Sequence, residues 1–250
     1  LYERPPLGWR DAHAARPLQF NRPFFRADGT VLHASADSGS KLDIGADGDG
    51  IVFDLRGAKP DGLLVEGVRG KGWLVDPEIG FMRLPLRGMS LRRGALEFWL
   101  RPVNWDDCTG YWHHSPPNRM QLSVARLFAR DRAGNEVPGL EVSLPRAFNL
   151  ERARLPLDPG HWSHLCLVWD ERGWGLFCDG QVIAGRKRDK ESNLDAELTA
   201  VEFGVPDDCT VKRGEKPRIE IDEIVGYRTP LRKDEVSQAR RRWMGAIEPI

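Results

Sequence analysis

The residues best equipped for chemistry are the acidic ones of Glu220-Ile-Asp-Glu223. On an extended strand successive side chains alternate between faces, so Glu220 and Asp222 share one face. Two carboxylates side by side are the equipment of glycosidic-bond hydrolysis, one acting as nucleophile and the other as general acid. The next position on that face is Ile224, and Glu223 turns the other way, so the carboxylate row is expected to stop at two. His161 and His164 have the residue type of metal ligands, but their spacing on a strand sends the rings to opposite faces. Cys108, His113 and His114 offer sulfur and nitrogen ligands from one loop, without the second pair that zinc-finger spacing needs. Asp43-Ile-Gly-Ala-Asp-Gly-Asp-Gly50 approaches a calcium-loop pattern. It has no oxygen ligand at the third position and carries Asp54 where the twelfth requires glutamate, so it reads as a glycine-rich turn.

Two further loops carry a more distinctive signal. Asp106-Asp-Cys-Thr109 and Asp207-Asp-Cys-Thr210 repeat one tetrapeptide, each just past the end of a strand. If those strands end at the same rim, Cys108 and Cys209 come within reach of a disulfide, and Asp106, Asp107, Asp207 and Asp208 converge. Carboxylates that close raise one another's pKa unless a cation neutralises them. Calcium, which takes oxygen ligands, is the fitting ion. The other arrangement open to the sequence has the aspartates capping turns in water and the cysteines unpaired. Asn104-Trp-Asp-Asp-Cys-Thr-Gly-Tyr-Trp-His-His114 sets Trp105, Tyr111 and Trp112 beside Asn104 and His113. A flat aromatic face for a sugar ring, with polar groups for its hydroxyls, is what a carbohydrate-binding loop on a rigid scaffold presents. The same rings can instead fold back over a sheet edge. Cys166 and Cys178 lie on the two arms of one hairpin and read as small core residues or a cross-strand pair.

Composition limits what these residues can serve. The 250 residues hold 37 basic and 37 acidic side chains, a formal net charge of zero. That balance excludes the basic surface expected of a nucleic-acid binder and gives no general attraction to anionic lipid. No apolar run is long enough to span a bilayer. The chain opens at Leu1 with neither methionine nor an apolar signal segment, the pattern of a processed chain or a fragment. With 26 glycines and 18 prolines it is rich in turns.

The elements that must position these groups read as short strands. Residues 1–30 form an arm interrupted by Pro5, Pro6, Pro17 and Pro23. Strands are expected at Ile51–Leu55, Gly72–Val75, Gly80–Leu84, Gly94–Pro102, Met120–Phe128, Gly139–Ser143, His164–Trp169, Gly175–Cys178, Ala200–Gly204 and Arg218–Tyr227. The clearest, Gly94–Pro102, puts Leu96, Phe98 and Leu100 on one face and Glu97, Trp99 and Arg101 on the other. Asp179-Gly180 is a tight-turn pair. Helical spacing appears once, over Lys233–Trp243, with Val236, Ala239 and Trp243 on one side. Strands without alternating helices predict an all-β sandwich over residues 31–245, with a tail at 246–250.

Three segments, in order, resemble a known family. Gly94-Ala-Leu-Glu-Phe-Trp-Leu-Arg-Pro102 resembles G-T-I-x-F-W-V-R-P. Pro159-Gly-His-Trp-Ser-His-Leu-Cys-Leu-Val-Trp-Asp170, continuing to Leu176-Phe-Cys-Asp-Gly-Gln-Val182, resembles W-H-H-V-A-L-x-W-D followed by L-Y-V-D-G-K. Ile221-Asp-Glu-Ile-Val-Gly-Tyr-Arg-Thr-Pro-Leu231 with Asp234-Glu-Val236 resembles I-D-E-V-R-I-Y-x-x-A-L-S-x-D-E-I. Together they are similar to the laminin-G-like domains of the concanavalin A-like lectin and glucanase superfamily. The resemblance implies a two-sheet antiparallel jelly roll in an extracytoplasmic bacterial protein, periplasmic, cell-surface or secreted. It implies non-catalytic recognition of carbohydrate or a protein partner, or an accessory role in a larger assembly docked through the arm and rim loops. Glucanases of that superfamily carry E-x-D-x-E; Ile224 breaks the pattern here, so hydrolysis is not expected.

Overall fold

The computed structural model describes residues 29–39, 41–45, 50–55, 63–76, 80–103, 121–130, 136–143, 157, 160–187, 197–204 and 218–244. Among them the chain forms β1 (Thr30–Ala34), β2 (Val52–Leu55), β3 (Leu64–Glu66), β4 (Lys71–Val75), β5 (Gly80–Pro85), β6 (Gly94–Pro102) and β7 (Gln121–Arg130). There follow β8 (Glu136–Ser143), β9 (Ser163–Asp170), β10 (Gly173–Cys178), β11 (Gln181–Lys187), β12 (Ala200–Gly204), β13 (Ile219–Tyr227) and the helix α1 (Lys233–Met244). They build an all-β sandwich. One sheet has eight strands in the order β11-β10-β9-β6-β13-β4-β3, with β1 added to β13; the other runs β2-β5-β12-β7-β8. One pair, β7 with β12, is parallel, where an entirely antiparallel fold was expected. Gln121 lies beside Ala200, so β7 enters its sheet from the end at which β12 begins.

Strand β13 organises the larger sheet. Strand β6 lies along one edge; on the other, β4 pairs with Ile219–Ile221 and β1 with Ile224–Tyr227. The changeover is a β-bulge: the register to β6 shifts between Asp222 and Val225, and Glu223 adopts φ 50. The extra residue resets the parity of the strand. Ile224, expected beside Glu220 and Asp222, instead joins Ile219 and Ile221 in the core, and all nine residues of β13 are buried.

The two sheets close on a core that alternation in the strands supplies. Leu96, Phe98 and Leu100 of β6, Leu165, Leu167 and Trp169 of β9, and Trp73 and Val75 of β4 face Met82 and Leu84 of β5 and Val201 and Phe203 of β12. Phe98 and Phe203 meet edge-to-face across the layers, ring centroids 5.1 Å apart. Trp169 keeps its indole N–H satisfied by donating to the Ser90 carbonyl at 3.0 Å. Asp179 (φ 51) and Gly180 (φ 80) make the two-residue turn between β10 and β11, a type I′ geometry that requires positive φ at both positions. In the β9–β10 hairpin Cys166 opposes Phe177 and Cys178 opposes Leu165, so the thiols point to opposite faces. Both are free, buried core residues and not a cross-strand pair.

The helix covers part of the outer face of the large sheet. Its first turn carries Asp234 and Glu235 and its last Arg241 and Arg242, each sign favourable to the helix dipole. Val236 packs with Leu231 onto Val225, Tyr227, Cys166 and Phe177. Arg240 Nε reaches Asp179 Oδ1 at 3.1 Å, pinning the hairpin turn to the helix. No helix among the described residues is long and apolar enough to cross a membrane. The inter-layer aromatic contact should dominate stability. Phe98→Ala is expected to cost about 3–5 kcal/mol, read as a fall in the urea-unfolding midpoint without change in slope.

Candidate functional site

The registers fix which strand ends share a rim. Ile219 opens β13 beside both Val75, the end of β4, and Pro102, the end of β6. Strand β5 begins at Gly80, shortly after β4 ends, and Phe81 lies beside Gly204, the end of β12. Strands β6 and β12 therefore end at one rim. The loops carrying the two Asp-Asp-Cys-Thr tetrapeptides follow those ends in sequence. The candidate residues themselves, Asn104, Trp105, Asp106, Asp107, Cys108, Tyr111, Trp112, His113, His114, Asp207, Asp208 and Cys209, lie outside the described residues.

What the structure does place at this rim is a charged and aromatic floor. The Arg101 guanidinium lies 5.0 Å from the Trp162 ring centroid, a cation–π distance, and pairs with Glu220 from the neighbouring strand. Its other edge reaches the Glu66 carbonyl at 3.4 Å. Beside it Arg218 pairs with buried Asp76 at 2.6 Å. Backbone hydrogen bonds from Gly160 N to the Pro102 carbonyl (2.6 Å) and from Val103 N to the Arg218 carbonyl (3.1 Å) hold the strand exits together. Arg101 was legible as an outward-facing residue of β6. Its pairing with Glu220 was not, because nothing local says that β6 and β13 are neighbours.

Away from the rim the outer face of the large sheet becomes a buried polar layer. Tyr227 donates to Glu97 Oε1 at 2.7 Å, and His164 Nε2 lies 3.3 Å from Glu97 Oε2. The Trp99 ring tilts against His164, centroids 5.3 Å apart. Burial, with Glu97 adding its charge, pushes the Cys166 thiol and the Tyr227 hydroxyl well above their ordinary ranges. His161 sits before β9 begins, half-buried, while His164 is fully buried within the strand.

The bulge carries a third group. Asp222 accepts Glu223 N at Oδ1 (2.8 Å) and Arg69 N at Oδ2 (3.1 Å). Asp37 accepts Lys71 N at 2.9 Å, and Asp43 accepts Ser35 N at 2.7 Å and the Ser38 hydroxyl. The turn at 67–70 fits because a Cβ on Gly67 would strike Asp222, and one on Gly70, at φ 59, would strike Asp37. Asp43 thus works as a turn cap, and its carboxylate oxygens are already engaged. Among the described residues no group of histidine, cysteine or acidic side chains is arranged to hold a metal ion. Burial first, and the neighbouring Glu223 second, push the Asp222 carboxyl well above the carboxylate range.

A carboxyl raised in this way holds a proton that the unfolded chain has released. Its stabilisation is complete below the ordinary carboxylate pKa and is lost as pH rises through the raised value. Thermal melts should therefore show stability falling as pH increases above about 4, with a slope from this group of up to about 1.4 kcal/mol per pH unit. In Asp222→Asn the same series should be flatter.

No protein-family model and no curated relative matches the chain. The fold does recur in solved structures. The binding domain of Paraclostridial Mosquitocidal Protein 1 aligns with a TM-score of 0.55 and 15% identity, over 85% of this chain and 52% of that one. Domain 4 of AbnA, a GH43 extracellular arabinanase from Geobacillus stearothermophilus solved with arabinotriose, gives 0.53 and 16%, over 86% of this chain and 100% of that domain. The botulinum neurotoxin serotype D binding domain gives 0.53 and 9%, over 85% and 51%. The chain spans about half the length of the two toxin domains and matches the whole arabinanase domain. At these identities the likeness is one of architecture, and it places the chain among β-sandwich folds of this kind.

Proposed function

We propose that this chain is a non-catalytic recognition module of the laminin-G-like kind, acting outside the cytoplasm and taking carbohydrate at the rim where β6 and β12 end. The observation that carries this reading is the rim floor: Trp162 under Arg101, with Glu220 alongside, at the strand end from which the aromatic loop follows. Trp105, Tyr111 and Trp112 supply the ring faces, and Asn104 and His113 the polar contacts. A similar sandwich was solved with arabinotriose bound, which supports the choice of ligand class. The carboxylates of the sequence pattern are poorly set for hydrolysis. Glu220 is engaged by Arg101, and both oxygens of buried Asp222 are taken by backbone N–H groups.

Calorimetric titration with arabino-oligosaccharides and a sialylated glycan tests this reading. Alanine at Trp105, Tyr111 or Trp112 should weaken binding by about tenfold or more, roughly 1.4 kcal/mol each, with the melting temperature unchanged. Absence of glycan binding at millimolar concentration would reject it in favour of a protein partner or accessory subunit. Turnover of a β-glucan that disappears in Glu220→Gln would reject it in favour of an enzyme.

The shared rim also supports a Cys108–Cys209 disulfide with calcium held by Asp106, Asp107, Asp207 and Asp208. Non-reducing peptide mapping should recover the crosslink. Calcium at about a hundred times its Kd should stabilise the fold by about 2.7 kcal/mol over chelator. Free thiols and an unchanged melt would remove both.

A further inference from the structure

The imidazole of His33 lies between two carboxylates that come from different parts of the chain. Nε2 is 2.7 Å from Glu223 Oε2 on β13, and Nδ1 is 3.4 Å from Asp43 Oδ2 in the segment that flanks β1 on its other side. His33 and Glu223 are both buried, at 4% and 2% exposure. The backbone of β1 is held on the same two sides. It pairs with Ile224–Tyr227 of β13, and His33 exchanges hydrogen bonds with Ile44 (2.9 and 3.2 Å). The bridge thus clamps β1 at His33, the residue where both neighbours meet.

A neutral imidazole has one N–H and one lone pair, whereas both ring nitrogens here look at carboxylate oxygens. With two protons the ring is a cation between two carboxylates, Nε2 donating to Glu223 while Nδ1 lies 3.4 Å from Asp43 without hydrogen-bond geometry. With one, on Nε2, the bond to Glu223 remains, but the Nδ1 lone pair faces Asp43 and the attraction of the cation for both carboxylates is lost where the dielectric is low. The surrounding charges do not relieve this. Asp222 is next to Glu223 on β13, Asp37 lies close to Asp222 from the turn at 36–38, and Arg69 from the 67–70 turn is the neighbouring cation. Burial raises the Glu223 carboxyl, and the hydrogen bond to His33 pulls it back. Glu223 also sits in the left-handed region, at φ 50, a conformation that persists only while its surroundings fix it.

We propose that His33, Glu223 and Asp43 make β1 a proton-gated strap: seated on β13 while the imidazole carries both protons, and released from it as the ring loses one. The direction follows from the geometry. Acid seals the strap and alkali loosens it, and the rest of the sandwich, whose strands are paired independently of β1, stays closed.

Amide hydrogen exchange on the full chain tests the gate, comparing about pH 5.5 with about pH 8.5, on either side of the range in which histidine ordinarily titrates. Rates are corrected for intrinsic exchange, with β10 as the internal reference. Protection of the peptide covering β1 should fall about tenfold or more on going to the higher pH while β10 holds, a local opening of about 1.4 kcal/mol. In Glu223→Gln the fall should shrink to less than about threefold, because the uncharged carboxamide can donate its N–H to Nε2 while the single ring proton sits on Nδ1 toward Asp43, and no second proton is needed. Asp43→Asn, at the half-exposed end of the bridge, is the second variant should the buried one not fold, and it should reduce the fall in the same sense. Constant β1 protection in the wild-type protein would overturn the proposal, as would an undiminished fall in both variants.

Discussion

Everything on the large sheet is registered to β13, because one nine-residue strand there has to satisfy three neighbours. Strand β6 takes one whole edge, while β4 and β1 divide the other between them. A regular strand would carry its side-chain parity straight through that division. The bulge at Asp222–Glu223 breaks it, sending Ile224 back to the core and leaving two acidic residues at the break. Buried carboxylates are tolerated only where their oxygens are satisfied. The Arg69 amide of the turn at 67–70 and the His33 bridge both answer that requirement. Glycine at position 67 follows from the same cause, since the Asp222 carboxylate occupies the space a side chain would need.

The outer face of this sheet is unusual in what it buries. An exposed sheet face would be polar and wet, yet Glu97, Trp99, His164 and Tyr227 are all nearly inaccessible. They are arranged as partners: hydroxyl to carboxylate, imidazole to carboxylate, indole against imidazole. Val236 of helix α1 and Leu231 just before it seal one side of the layer, and Arg101 and Trp162 close it toward the rim. The polar row on β6 thus grades from a sealed interior at Glu97 to a half-exposed cation at Arg101, the residue closest to the loop that follows.

The sequence was most readable where local rules act alone. The two faces of β6 were separable because no bulge interrupts that strand. The Asp179-Gly180 turn was readable because only a few residue types accept positive φ at both positions. The closing helix was visible from its spacing and its end charges. Local pattern misleads where tertiary pairing decides. Nothing in Ile-Asp-Glu-Ile announces a bulge, which exists because β4 gives way to β1 across the strand. The sequence pattern does not mark β1, β3 or β11 as strands: β1 is held in the sheet only by its pairing with β13, β3 has three residues, and β11 is an outermost strand without clear alternation. Of the candidate site, the register could place the strand ends and the floor formed by Arg101, Trp162 and Glu220. The His33–Glu223 contact, 190 residues apart in the chain, had no sequence signal.

The position of β13 also has a consequence in time. It is the last strand of the sandwich to leave the ribosome, yet it is the seam between β6 and the β3–β4 pair. During synthesis the large sheet therefore exists as three separate pieces, β6–β9–β10–β11, β3–β4 and β1, the first with a long unpaired edge on β6 of the sort that invites mispairing. Local hairpins such as β9–β10–β11 can form early, but closure waits on contacts between residues that are far apart in sequence, which are slow to form. A nascent chain stalled before residue 219 would present an open sheet to its surroundings, which makes the interval before β13 emerges the period in which a chaperone has most to do.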